Sequence, residues 1–348
     1  MKMNIGGFFK VDIKRADGTE ETTGWFKNLI TDDGLDQLIY GRTSGQGINT
    51  FSAGAAFLGQ GTGAPAVTDN QSTLVNSIKS TQYSEALPGG TSNRLNAGAN
   101  VDAPTTPGVY EFAYVRRRYE FVNPAISGNA QDVNPAGTWT EVAIGIHSGT
   151  NAAGFGGFLW SRTLLPAPLV VTANDIVNIA YEVRVYPDLN DFTGSFILDG
   201  NTYNYTGRPS GFAPANSWAG MFDFPSSILH HLDNQGFSQQ TVYSTPAALG
   251  PYTGQISTPS GTHSGSSNST STRTVGAYTQ GSFSRTFKVG FGLNEGNVVQ
   301  TLAPFTPGIK GMRITLGWLS WQLIFDNPIP KDNTKTLEFY FTLSWNRI

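Results

Sequence analysis

The chain has 348 residues, a formal net charge of −3, 41 glycines, 19 prolines and no cysteine, and 14% of its residues are charged. The absence of cysteine excludes disulfides, thiolate catalysis and cysteine-ligated zinc, and the slight negative charge gives no electrostatic footprint for nucleic acid. Charged residues fall well below the roughly 25% usual in soluble domains, while aromatics reach 12%; this balance reads as turn-rich β structure with much of its surface facing other protein, not as disorder.

In chain order, "FFKVDI" at 8–13 alternates as a strand does, and Asp17-Gly18 is a strong hairpin signal. Thr31 or Asp32 can cap a short helix carrying Leu35, Leu38 and Ile39 at helical spacing, with Gly41 as its stop. "NTFSAGAAFLG" reads as another strand, and the glycine-rich stretch "AFLGQGTGAPAVTDNQSTLV" at 56–75 leads into a loop-like region with few large apolar residues. From 109 the pattern changes to a series of strands: "VYEFAYVRRRYEFV", "TWTEVAIGIHSG", "GGFLWSRTLL" and "DIVNIAYEVRVYP". In the last of these, Val177, Ile179, Tyr181, Val183 and Val185 face away from Ile176, Asn178, Ala180, Glu182 and Arg184, the signature of a half-buried antiparallel strand.

The C-terminal part repeats this grammar. "SFSRTFKVGFGLNEGN" at 282–297 echoes "YVRRRYEFVNPAISGN" at 114–129, and the passage from Trp321 echoes that from Trp160: tryptophan, short strand, proline, Asn/Asp turn, long alternating strand. Between the copies, Asp199-Gly200 joins two strands as a type I′ turn, "SSILHHLDN" reads as a short amphipathic helix capped by Ser226, and "STPSGTHSGSSNSTSTR" reads as an exposed loop or arm. The expected fold is all-β: tandem antiparallel β-sandwich units with a small N-terminal hairpin-helix segment and long loops. The expected divisions are 1–100, a docking segment with an extended loop arm; 101–187, a first sandwich unit; 188–269, an inserted region; and 270–348, a second sandwich unit.

No pattern in the sequence carries catalysis. Gly59, Gly61 and Gly63 match neither the dinucleotide fingerprint nor the P-loop, since no lysine follows and no long helix begins there. His147, His230, His231 and His263 lack metal-ligand spacing, and adjacent histidines on a helix point about 100° apart. There is no G-x-S-x-G elbow. Glu141, Asp188 and Asp191 are carboxylates in strands or loops with no spacing that selects a glycosidase pair. The sequons at Asn204 and Asn268 stand in a chain with no pattern of a secretion signal, and no apolar run reaches the roughly 20 residues of a membrane helix. No catalytic residue, cofactor site or metal ligand is assigned. Arg116, Arg117 and Arg118, set in an aromatic strand, read either as an interface pairing with carboxylates of a neighbouring subunit such as Asp32 or Asp33, or as charge that guards a sheet edge.

"WFKNLITDDGLDQL", followed by "AFLGQGTGAPAVTDNQSTLVNSI", resembles a passage near the start of tailed-bacteriophage virion proteins, an "N-x-I-T-x-x-G-L" helix and then a "G-x-G-x-x-x-P-x-x-x-D-x-x-L" loop. The segment with Glu141 and Gly145, then Ser161 and Arg162, then a proline-flanked turn and a final strand is similar to the same proteins. The resemblance covers chiefly 24–78 and 137–187. It implies a non-enzymatic structural component of the neck, tail or baseplate, made in the host cytoplasm and resident in the virion. The implied partners are further copies of itself and other virion proteins, with no nucleic acid, membrane insertion or cofactor. In that setting Gly59, Gly61 and Gly63 belong to a lacing loop that lies close against a neighbour. The rival expectation is a receptor-binding module for host glycan or surface protein, with Asn201, Tyr203 and Trp218 as its contacts.

Overall fold

The structure, a computed structural model, describes residues 1–40, 55–60, 74, 77–81, 96–99, 112–121, 136–147, 155–212, 239–243, 248–250, 263–266, 272–297, 308–316 and 319–348. It is all-β: 69% of it is strand and 3% helix. The chain divides into two compact units, one of residues 5–97, 114–185 and 346–348 (the N-terminal unit) and one of residues 1–4, 98–113 and 186–345 (the C-terminal unit).

The first half of the chain forms β1 (Lys2–Lys14), β2 (Glu20–Thr22), β3 (Phe26–Ile30), α1 (Asp32–Tyr40), β4 (Ala55–Gly59), β5 (Ser77–Thr81), β6 (Asn96–Ala99), β7 (Ala113–Phe121), β8 (Gly137–His147), β9 (Phe155–Val171) and β10 (Ile176–Pro187). β1 and β2 form the hairpin announced by Asp17-Gly18, with Asp12 opposite Thr22 and Lys14 opposite Glu20. Thr31 caps α1, its hydroxyl accepting the Gly34 N–H at 3.0 Å while its own N–H donates to the Trp160 carbonyl. Leu35 turns inward from the helix; the side chains of Leu38 and Ile39, and Gly41, lie outside the described residues. Strands of the N-terminal unit run in the order β3-β9-β8-β4-β5, and β10 pairs with β1 and β7. On β10 the face read as inward is buried, with Val177, Ile179 and Tyr181 at 0% exposure, but the alternation lapses in mid-strand, where Ala180 and Glu182 of the opposite face are buried as well. Tyr181 joins the two strand groups, its ring 4.8 Å from that of Phe9 on β1 and its hydroxyl accepting Trp160 Nε1–H from β9 at 2.9 Å.

The remaining strands are β11 (Phe192–Leu198), β12 (Asn201–Phe212), β13 (Gln239–Tyr243), β14 (His263–Ser266), β15 (Thr272–Val275), β16 (Ser284–Phe291), β17 (Ile309–Leu316), β18 (Leu319–Ile329) and β19 (Leu337–Arg347). In the C-terminal unit the order is β11-β12-β18-β17-β13-β14, and β15-β16-β19 pair separately from it. The turn between β11 and β12 has φ of 50° at Asp199 and 77° at Gly200, the two positive values a type I′ turn requires. Phe196 of β11 and Phe325 of β18 meet Phe339 of β19 with ring centroids 6.3 and 6.0 Å apart, so this unit packs one strand group on the other through aromatic rings.

The two units share one strand order. β3-β9-β8-β4-β5 of the N-terminal unit recurs as β12-β18-β17-β13-β14. In each unit the strand after the long hairpin, β10 or β19, pairs with the strand before it, β7 or β16. The echo in sequence between the passages from Trp160 and Trp321 falls on corresponding strands.

Three expectations are corrected. The segment 1–100 is not a separate docking piece: β4 pairs with β8 from Ala55 opposite Gly145 to Gly59 opposite Glu141, and β3 with β9, so its strands belong to the sheet built by 137–171. Likewise β12, from the expected insert, pairs with β18, so the 188–269 and 270–348 segments form one unit. Sheet pairing is non-local, and a division drawn from runs of similar texture cannot see it. The polar "STPSGTHSGSSNSTSTR" stretch is also not wholly loop, because His263–Ser266 pairs with β13 and Thr272–Val275 with β16; partner strands supply the ladder that its weak β propensity does not.

Candidate functional site

Beside the centre of the β3-β9-β8-β4-β5 sheet lies an ion pair with both side chains at 0% exposure: Arg162 Nε donates to Glu141 Oε2 at 2.7 Å, and Nη2 contacts the same oxygen. Gly59 stands opposite Glu141 across the β4–β8 ladder, and a Cβ there would sit 2.3 Å from Glu141 Oε1. Gly59 is thus a glycine because the carboxylate occupies the space its side chain would need. That differs from the lacing-loop role expected for it; Gly61 and Gly63 lie outside the described residues. With no exposed surface and its charge spent on Arg162, Glu141 is out of reach of a substrate. Nearby, the buried Tyr181 hydroxyl sits among Ser161, Asn28 and Trp160, and burial raises its pKa to well above the ordinary tyrosine value against the opposing pull of those hydrogen bonds.

Two of the three arginines of β7, Arg116 and Arg118, are engaged within their own chain. Arg116 donates from Nε and Nη2 to Glu182 Oε2 at 2.9 and 2.6 Å, and its guanidinium lies 4.7 Å from the centre of the half-exposed Trp25 ring. Arg184 takes the other oxygen, Glu182 Oε1, at 2.6 Å and covers Phe8 at 3.9 Å. Arg118 faces Asp12 at 3.9 Å. The side chain of Arg117 lies outside the described residues. Asp32, one of the carboxylates expected across a subunit boundary, is bound by Arg347 of the same chain. Spacing along one strand exposed the arginines but could not reveal that the acid of Arg116 sits two strands' worth of sequence away, at Glu182.

Of the contacts expected for a receptor binder, Tyr203 is 6% exposed, with its ring stacked on Phe196 at 5.6 Å, so it is a core residue and cannot meet a ligand. The strand alternation of β12 turns it inward, where its flanking Asn/Asp turn had suggested exposure. Asn201 is exposed in the turn and donates weakly to the Asp199 carbonyl at 3.3 Å. Trp218 and the His230-His231 pair lie outside the described residues.

A network that sequence reading missed ties the β1–β2 hairpin to the β9–β10 turn. Arg15 donates to Asp175 Oδ2 at 2.9 Å, to the Val170 carbonyl at 2.7 Å and to both oxygens of Glu21. Asp175 in turn accepts the Thr172 and Ala16 N–H groups. Burial alone would raise the Asp175 pKa, but the Thr172, Arg15 and Ala16 hydrogen bonds outweigh it and hold the carboxyl below the ordinary value of 3.8. A carboxyl held low in the fold contributes stability above its unfolded pKa and loses that contribution as pH falls through the folded value. The thermal midpoint is therefore expected to fall more steeply below about pH 4 in the wild type than in Asp175→Asn. Equal acid limbs in pH-dependent thermal melts would remove this role from Asp175.

Among the described residues no group of three or more His, Asp or Glu side chains could hold a metal ion, and no helix is long and apolar enough to cross a membrane. Compared with known proteins, the chain matches no family model, no curated protein and no solved structure.

Proposed function

We infer that the protein is a non-enzymatic structural component of a tailed-bacteriophage particle, homo-oligomeric, placed in the neck, tail or baseplate. The observation that carries this reading is the use made of its chemistry-bearing side chains. Glu141, Glu182 and Asp175 are buried, and each is bound by an arginine of the same chain, Arg162, Arg116 and Arg15 respectively, fixing strand against strand. Such groups serve rigidity rather than turnover. The low charge of the chain and the passages resembling virion proteins point the same way. Tandem sandwich units, related by duplication, are the architecture proposed for the body, and the recurring strand order supports it.

The test is assembly. Mixed with the other proteins of the particle, the purified chain is expected to co-sediment with them and to leave host cells unbound. Attachment to cells in the absence of any particle protein would instead favour the receptor-binding module. In that case the exposed β11–β12 tip at Ile197 and Asn201 is where substitutions should abolish binding.

A further inference from the structure

Both long hairpins carry the same irregularity. On β9, residues 165–168 stand opposite Thr140 alone, because Leu164 faces Glu141 and Leu169 faces Trp139. On β18, residues 325–328 stand opposite Lys310 alone, because Ile324 faces Gly311 and Ile329 faces Ile309. Each protrusion buries its first residue, Leu165 at 8% and Phe325 at 2% exposure, and ends on a proline, Pro168 or Pro328. Their outward chemistry differs. The β18 protrusion presents Asp326 and Asn327, with Asp326 accepting from the Asn204 amide at 2.7 Å and its carbonyl from Lys310. Its counterpart presents Pro166, Ala167 and Pro168, flanked by exposed Leu164 and Val170. The fold thus accommodates polar residues at this position, and the apolar set on β9 answers to something other than folding.

The apolar protrusion is also rigid. Two prolines fix φ within it, and Arg15 holds its base at the Val170 carbonyl. Rigid apolar surface loses little entropy on contact. The prolines remove backbone donors, so contact is by side-chain packing and not by strand addition.

Resting on the homo-oligomeric reading above, we propose that residues 164–170 form a self-association surface whose occupant is the same surface of a second copy. Residues 163–171 contain no charge, so the patch meets itself across a two-fold axis without like-charge repulsion. The corresponding segment of the C-terminal unit exposes Asp326 and Asn327 at its centre, so of the two hairpin protrusions among the described residues only that on β9 is apolar throughout, and a single self-complementary patch closes a pair instead of propagating a filament. The patch supplies the apolar centre of the contact, and Arg15 and Glu21 at its base supply charges for a polar rim.

The experiment is the concentration-dependent mass of the full chain by light scattering. It compares wild type, the double variant Pro166→Asp with Ala167→Asn, and Val170→Gln. The double variant copies residues already accepted at the corresponding site, and Val170 is 59% exposed, so each is expected to keep the wild-type circular dichroism and melting curve. Wild type is expected at an even multiple of 37.4 kDa, with self-association weakened by about tenfold or more in both variants. Ile197→Asp, on another exposed site, is expected to associate as wild type does. Undiminished association of folded variants, or a wild type that is a pure trimer, overturns this surface and leaves homo-oligomerisation standing. A wild type that stays monomeric at every concentration overturns both.

Discussion

Replacing Arg162 with alanine is expected to lower the unfolding free energy by about 3–5 kcal/mol, the range for removing one partner of a buried ion pair. Arg162 and Glu141 have no exposed surface, so the substitution leaves a carboxylate stranded between β4, β8 and β9 with neither water nor cation. Gly59 offers no atoms to fill the gap. Glu141→Gln keeps an acceptor for the guanidinium but leaves Arg162 charged and unneutralised, so it too is expected to destabilise. Replacing both residues together by leucine and methionine is expected to recover most of the loss, because the desolvation cost of the pair disappears with its attraction. Denaturant titration of the four proteins reads each value. A cost below about 1 kcal/mol for Arg162→Ala would mean that water or another group reaches Glu141.

The second large effect belongs to the other unit. Phe339→Ala is expected to cost about 3–5 kcal/mol by opening a cavity where aromatic rings converge. Its ring lies 6.0 to 6.3 Å from those of Phe196, Phe291, Phe325 and Phe341, and the residue is 8% exposed. Two of these rings come from the β11–β12–β18 group and two from β16 and β19, so the cavity would separate the two strand groups of the unit. The adjacent Tyr340, 65% exposed, provides the contrast: Tyr340→Ala is expected to stay within about 0.5 kcal/mol. Similar losses at the two positions would contradict the assignment of inward and outward faces on β19.

What was legible in the sequence was local. The inward face of β10, the Asp17-Gly18 and Asp199-Gly200 turns and the cap at Thr31 depend on residues within a few positions of one another, and each is found where it was read. The all-β class follows from the same signals. Pairing at long range was not legible. Gly59 looked like one of three evenly spaced glycines, whereas its neighbour in space is Glu141 on β8. Arg116 finds its carboxylate 66 residues away. Tyr203 sits in a stretch of polar turn-formers, yet the parity of β12 buries it. The matching protrusions at 165–168 and 325–328 left one visible trace, the prolines at 168 and 328, but their equivalence needs the register of both hairpins.

The same long-range pairing shapes the decisive experiment, because deleting the first 100 residues would remove β1, β3 and β4 from the sheets that hold the N-terminal unit together. The intact chain is the right object. Its native mass, measured over a range of concentrations alone and with the other proteins of the particle, tests most directly whether this is a structural component. The account predicts assemblies at multiples of 37.4 kDa that grow with concentration or on mixing. A single-chain mass under every one of these conditions would contradict it.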